Sequence, residues 1–369
     1  MTRLADSLLG RLGAASLLGL ASGLACGQHS YEAAPAERMG AGAELSVHGA
    51  TDPAVMAPLL AAFEQLHPGT RVDYQEYGTI DLYDEFLADL EAGRPVPDLL
   101  LSPAMDLQTK LANDGHALSY QVPNKGELPP GSIWRDEAFA VSLEPVVIVY
   151  NTKLIPPEQV PTSRYRLLEV LVRHPHRYYG RIGVYDPALS ASGYLYFTQD
   201  AEQSPVLWEL VQEFGALGAT LHDRAREILV GVATGDLLIG YNVPGSYAMA
   251  WAELNPSLGI VLPEDYTLVI SRIAIIPKRA PHPELAGRFL EFLLSEDGQR
   301  QLAEPSQLRW AQRAASGQSD IPGLPGRQPG LVRPVRMGPG LLVYVDQLKR
   351  ENFLRRWLAA LREQHPALP

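Results

Sequence analysis

From Glu44 onward, apolar and polar residues fall into blocks that switch between a period of two and a period near 3.6. Leu45-Ser46-Val47-His48-Gly49 alternates and predicts a strand. Asp52-Pro53 then opens a helix over Ala54–Leu66, with Asp52 as N-cap and Pro53 at the first helical position; His67-Pro68-Gly69 stops it. Arg71–Tyr77 alternates as a second strand, and Thr79 and Asp81 are candidate caps of a helix carrying Leu82, Phe86, Leu87 and Leu90. Leu99–Leu101 reads as a short buried strand. A helix with Leu107 and Leu111 at i, i+4 spacing follows and ends at Asn113-Asp114-Gly115, leaving Ser102 at the junction. A strand that hands over to a helix N-terminus offers backbone N–H groups and a dipole to an anion. Strand–helix units in succession predict a parallel α/β sheet, whose ligands sit at the carboxyl ends of the strands.

The run Phe139–Asn151 is long, β-rich and broken at Pro145, which suits a strand crossing from one domain to another. Leu268–Pro277 reads as the return crossing. Between them the pattern predicts helices over Arg164–Val172, Trp208–Leu217 and Glu227–Thr234. It predicts strands over Arg181–Tyr185, Leu237–Asn242 and Gly259–Leu262, with a turn-rich loop, Asp186–Ser192, leading into a helix at Gly193. Pro283–Leu294 is a well-patterned helix, 316–332 a Gly/Pro/Ser-rich surface loop, and Val345–Leu361 a C-terminal amphipathic helix. The fold expected is α/β with two lobes, each a parallel-sheet domain, joined by crossing hinge strands. Residues 44–145 and 270–369 would form the first lobe and 146–269 the second.

Composition narrows the partners. A net charge of −11 leaves no basic surplus to neutralise a nucleic-acid backbone, yet a local pocket can still attract a small anion against the global charge. One cysteine, Cys26, excludes an internal disulfide and a thiolate metal cluster. Arg3 followed by apolar Leu12–Ala25 reads as a secretory signal over residues 1–25, with a flexible lead over 26–43. Gly23-Leu24-Ala25-Cys26 resembles a lipobox with Gly23 where such boxes carry Leu. Lipidation at Cys26 and plain cleavage near Ala25 are the alternatives. No Gly-x-Ser-x-Gly elbow and no His/Cys motif with metal-ligand spacing occurs, so a secreted hydrolase is disfavoured.

Several segments together resemble the bacterial ABC-transporter substrate-binding proteins of the periplasm, with a type II-like two-lobed fold. They are Ser102–Gln108 with Lys110–Gly115, Phe197-Thr198-Gln199-Asp200, Gly240–Tyr247, Asp265–Arg272 and Arg336–Tyr344. The resemblance runs over roughly residues 44–360. It is strongest to the branch that includes a phosphoglycerate transport regulatory protein, with ferric-iron, hexose-phosphate and phosphonate binders as wider relatives. It implies a non-enzymatic, periplasmic receptor that closes by a hinge over a small anionic solute and delivers it to ABC permease subunits. No cofactor and no resident metal are expected, and the receptor is expected to be a monomer. A membrane sensor kinase is the alternative partner, and ferric iron the alternative ligand.

On that reading Thr51, Thr79 and Ser102 present hydroxyls at helix N-termini of the first lobe, with Ala104 contributing backbone; N-capping alone would use the same residue types. Ser190, Ser192 and Gly193 form a small-residue anion cradle on the second lobe, where Asn242, Ser246 and Tyr247 are further ligand candidates. Arg272, charged within an apolar run, needs either an anionic ligand or a protein carboxylate. Glu144 beside Pro145 in the crossing segment is its complement, either as a hinge salt bridge or as an acceptor for a ligand hydroxyl. Iron fits less well: Asn242-Val243 follows Tyr241 where ferric-binding relatives carry paired tyrosines, and arginines surround Tyr178-Tyr179.

Overall fold

The computed structural model describes residues 42–303 and 331–362; the segment expected to be an export signal, Cys26 and most of the Gly/Pro/Ser-rich stretch lie outside the described residues. Three strand–helix pairs open the chain: β1 (Ala43–Gly49), α1 (Pro53–Leu66), β2 (Thr70–Glu76), α2 (Thr79–Ala92), β3 (Leu99–Ser102) and α3 (Met105–Asn113). Asp52 caps α1 as its pattern predicts, accepting from the Ala54 N–H at 2.9 Å, with Pro53 in the first turn. At α2 the cap position holds Gly78 without a side-chain bond, so neither Thr79 nor Asp81 caps that helix. At α3 the cap position is Ala104; Ser102 stands two residues earlier and accepts from the Ala104 N–H at 3.2 Å, a local turn rather than a helix cap.

Short strands β4 (Ile133–Trp134) and β5 (Ala138–Ala140) precede β6 (Glu144–Asn151). The middle of the chain folds as α4 (Arg164–Arg173), α5 (Pro175–Tyr178), β7 (Ile182–Tyr185), α6 (Ala191–Gln203) and α7 (Val206–Ala216). It continues as β8 (Thr220–His222), α8 (Ala225–Thr234), β9 (Ile239–Pro244), α9 (Gly245–Leu254), β10 (Leu258–Val261) and β11 (Thr267–Ile270). The last elements are β12 (Ile273–Ile275), α10 (Pro283–Leu294), α11 (Glu296–Ala303), β13 (Val332–Pro334), α12 (Pro339–Val345) and α13 (Gln347–Arg362).

Two sheets result, in the orders β2-β1-β3-β12-β5-β4 and β13-β11-β6-β9-β7-β8, with β10 also paired to β6. Both are mixed rather than parallel. β1, β2 and β3 run parallel, as do β7, β8 and β9, but β12 is antiparallel to β3 and β5, and β6 is antiparallel to β9, β10 and β11. The crossing causes this. The chain leaves the first sheet through β5–β6 and returns beside itself through β11–β12, so the two crossings oppose in direction: Val269 pairs Pro145 and Ile270 pairs Glu144.

The central strands of the first sheet, β3 and β12, are buried on both faces, which is why they read as continuous apolar runs, while β1 and β2 alternate. Leu99, Leu101, Ala274 and Ile276 join Phe63 of α1 and Phe289 of α10 in one apolar cluster. Leu100, Ile273 and Ile275, one residue out of phase, join Phe86 of α2 and Met105 of α3 in a cluster that continues into the second lobe.

The C-terminal segment lies elsewhere than its assignment to the first lobe. β13 pairs with β11 in the second sheet. The Trp357 ring of α13 sits 4.2 Å from Phe197 of α6, and Phe353 lies 5.4 Å from both Tyr194 and Trp208. A Cβ on Gly215 of α7 would fall 1.9 Å from the Leu361 carbonyl oxygen, so a glycine there lets the two helices touch backbone to backbone. The driving force is the aromatic stripe of α13, which finds its apolar partners on α6 and α7.

Candidate ligand-binding cleft

A cleft enclosing about 720 Å³, part of it open to solvent, lies between the two lobes where the crossing strands meet. Its floor is an ion pair. Arg272, between β11 and β12 and immediately before β12, is 2% exposed, and its Nε lies 3.0 Å from Oε1 of Glu144, the first residue of β6, itself 1% exposed. Burial works against the Arg272 charge, but Glu144 together with the hydroxyls of Tyr247, Tyr196 and Tyr74 more than restores it, so the guanidinium stays charged. Ser142 donates to Glu144 Oε1 at 2.7 Å and Ser246 donates to Oε2. Arg272 Nη1 reaches Thr51 Oγ1 at 2.6 Å and the Ala50 carbonyl at 3.3 Å. One arginine therefore ties both crossing strands to the end of β1, while its carboxylate partner reaches α9 in the other lobe.

Above the floor the lobes touch directly. The Thr79 hydroxyl accepts from the Ala191 N–H at 3.0 Å, and the Tyr247 hydroxyl accepts from the Asp52 N–H at 2.9 Å. At the mouth Arg224 pairs with Glu76 at 3.1 Å and Arg226 with Asp52 at 3.3 Å. The wall at the start of α6 is built by Ser190, which caps the helix through the Gly193 N–H at 3.2 Å. Ser192 Oγ and the Tyr196 hydroxyl line the cleft on the same helix, buried and with no hydrogen-bond partner beyond each other. Burial raises the hydroxyls of Tyr185, Tyr196 and Tyr247 above the usual phenol range, which keeps them protonated donors.

Of the residues singled out from sequence, Thr79, Ser190, Ser192, Tyr247 and Arg272 line this cleft. Thr51 stands behind it, buried and engaged by Arg272 and by Tyr74, whose hydroxyl donates to the Thr51 carbonyl at 2.6 Å. Ser102 and Ala104 are buried in their own turn. Gly193 is absent from the lining because α6 presses on β7 there: a Cβ would fall 2.4 Å from that of Tyr185. Ser246 is turned to Glu144. Asn242 adopts φ 58° and gives its amide to Asp200 at 2.6 Å, away from the cleft. Asp200 also takes Arg164 at 2.8 Å, Tyr241 at 2.7 Å and Tyr266 at 3.0 Å, so three of the recurrent motifs meet in one buried polar knot inside the second lobe.

Sequence reasoning missed Asp52, Glu76, Tyr185, Tyr196, Arg224 and Arg226 as cleft residues. Asp223-Arg224-Ala225-Arg226 is a strand-to-helix junction like those it did find, but β8 is three residues long and largely exposed, so its pattern is too weak to announce the junction.

A family model of bacterial extracellular solute-binding proteins matches residues 59–321, most of the 369-residue chain. The chain belongs to the bacterial extracellular solute-binding proteins. The substrate-binding protein of an ABC transporter from Agrobacterium tumefaciens is 36% identical over 87% of this chain and 95% of its own, with a TM-score of 0.81. Iron-bound HitA from Pseudomonas aeruginosa is 18% identical, over 86% of this chain and 99% of its own, with a TM-score of 0.67. AfuA from Actinobacillus pleuropneumoniae, solved with fructose-6-phosphate, is 17% identical over 87% and 99%, also at 0.67. At those identities the last two carry the fold alone. No curated protein matches the chain. As an extracellular solute-binding protein of the ABC-transporter kind, this receptor takes small solutes outside the cytoplasm and works with permease subunits. The interlobe cleft is the place in this fold where two walls can close on one.

Proposed function

We propose that this solute-binding protein captures a small anionic solute, of the phosphate-ester or phosphonate class, between its lobes and holds it for an ABC importer. The observation that carries the reading is the buried pair of hydroxyls, Ser192 Oγ and Tyr196, at the start of α6: they have at most each other as partners, which leaves one donor over, in a wall that also holds Arg224 and Arg226. A buried donor without an acceptor is costly, and a phosphoryl oxygen supplies one while meeting the positive end of a 13-residue helix. Arg272 contributes less charge than its place suggests, because Glu144 already neutralises it.

Ferric iron is the weaker reading. Iron would need phenolates or carboxylates that converge on one point. No group of three His, Cys, Asp or Glu side chains converges among the described residues. Tyr178 donates to Gln159 and Tyr179 is exposed, so that pair does not converge on the cleft.

A thermal-shift and calorimetric panel of phosphate esters, phosphonates, inorganic phosphate and ferric citrate tests the reading. At least one organophosphate is expected to raise Tm, and Ser192→Ala with Tyr196→Phe should weaken it about tenfold or more. A rise with ferric iron and none with any anion would overturn the proposal.

A further inference from the structure

The charges at the mouth of the cleft are largely sorted by lobe, the exception being Asp223 on the second lobe, 3.8 Å from Arg224. Asp52, at the start of α1, and Glu76, at the end of β2, belong to the first lobe; Arg224 and Arg226, flanking the start of α8, belong to the second. Across the gap they meet in the pairs Arg226–Asp52 at 3.3 Å and Arg224–Glu76 at 3.1 Å. A solute seated between the lobes parts these pairs and must offer each lobe a replacement. A uniformly anionic solute serves Arg224 and Arg226 but leaves two carboxylates facing it. Glu76 tolerates this poorly, because burial already raises its pKa and Arg224 is the first charge that opposes the rise. Asp52 keeps one oxygen on the Ala54 N–H as the cap of α1, so its second oxygen points to whatever takes the place of Arg226.

We infer that the solute is dipolar: a phosphoryl or phosphonyl group on the α6–α8 wall, and a positively charged amino group on the Asp52–Glu76 wall a few bonds away. This rests on the anionic-solute reading above and specifies it. The anion end takes Ser192, Tyr196 and the two arginines, and the ammonium exchanges for the guanidinium groups that the carboxylates lose.

Titration calorimetry of the natural protein with phosphoethanolamine and with ethyl phosphate, which lacks only the ammonium, separates the two ideas. Phosphoethanolamine is expected to bind about tenfold tighter or more, the size of two partly exposed ion pairs. In the double variant D52N/E76Q the ratio between the two ligands should fall toward one. Asparagine retains the cap of α1, and circular dichroism confirms the fold. Equal affinity of the two ligands for the natural protein overturns the dipolar inference and leaves the anion reading standing. An undiminished ratio in the double variant overturns the assignment of the ammonium to Asp52 and Glu76. Binding of neither ligand, or of any other organophosphate, removes the anion reading and this inference with it.

Discussion

Glu144→Gln removes one charge from the floor of the cleft and leaves the other in place. In the native protein Glu144 answers Arg272 Nε at 3.0 Å and Nη2 at 3.4 Å, with both residues at least 98% buried, and it accepts from Ser142 and Ser246 as well. After substitution Arg272 keeps only neutral acceptors, Thr51 Oγ1 and the Ala50 carbonyl. Breaking a buried pair from one side typically destabilises by about 3–5 kcal/mol, because an uncompensated charge stays out of water. For a chain of this size that corresponds to a fall in Tm of roughly 4–6 °C. Urea titration followed by circular dichroism measures it. The double variant E144Q/R272M removes both charges and should regain most of the loss. A single variant within about 1 kcal/mol of wild type, or a double variant no better than the single, would refute the argument that the pair is held by mutual compensation.

Two further outcomes concern regions outside the cleft. Asp106 in α3 is fully buried, and burial pushes its pKa up to about 6. Its protonation therefore favours the folded state below the unfolded value near 3.8, and that stability is lost as pH rises through about 6. Asp106→Asn, which keeps an acceptor for the Leu107 N–H, should stabilise the protein by on the order of 2–3 kcal/mol at pH 7.5 and by nothing at pH 4; a pH-independent difference in urea midpoints would contradict this. Gly215→Ala forces a Cβ onto the Leu361 carbonyl and should release α13, seen as new proteolytic cleavage after α12; an unchanged digest and Tm would show that the helices can part without loss.

The frame of the molecule is legible because its central strands are buried on both faces and its crossing segments are long. Phe139–Asn151 and Leu268–Pro277 announce a two-lobed chain from their length alone, and Asp52-Pro53 announces α1. The candidate site is only partly legible. Hydroxyls at strand ends do gather around the cleft, yet the same residue types serve turns and caps, and Ser102 and Ser246 spend theirs on the protein itself. Asn242 misleads because its special backbone conformation is used to satisfy Asp200, an internal charge that no local pattern reveals. Arg224 and Arg226 escape notice because exposed arginines before a helix are ordinary until Glu76 and Asp52, about 150 residues earlier in sequence, are seen across from them. The sheet direction was misjudged for a similar reason: whether a crossing strand is parallel depends on its neighbour, not on its own residues.

The placement of α13 on α7 has a practical consequence. The described chain begins in the first lobe, at β1, and finishes on the second, at α13. Its two ends therefore ride on different bodies, and the distance between them follows the opening and closing of the cleft. A donor dye ahead of β1 and an acceptor on the solvent face of α13, at Arg355, would make the protein its own optical reporter of solute capture.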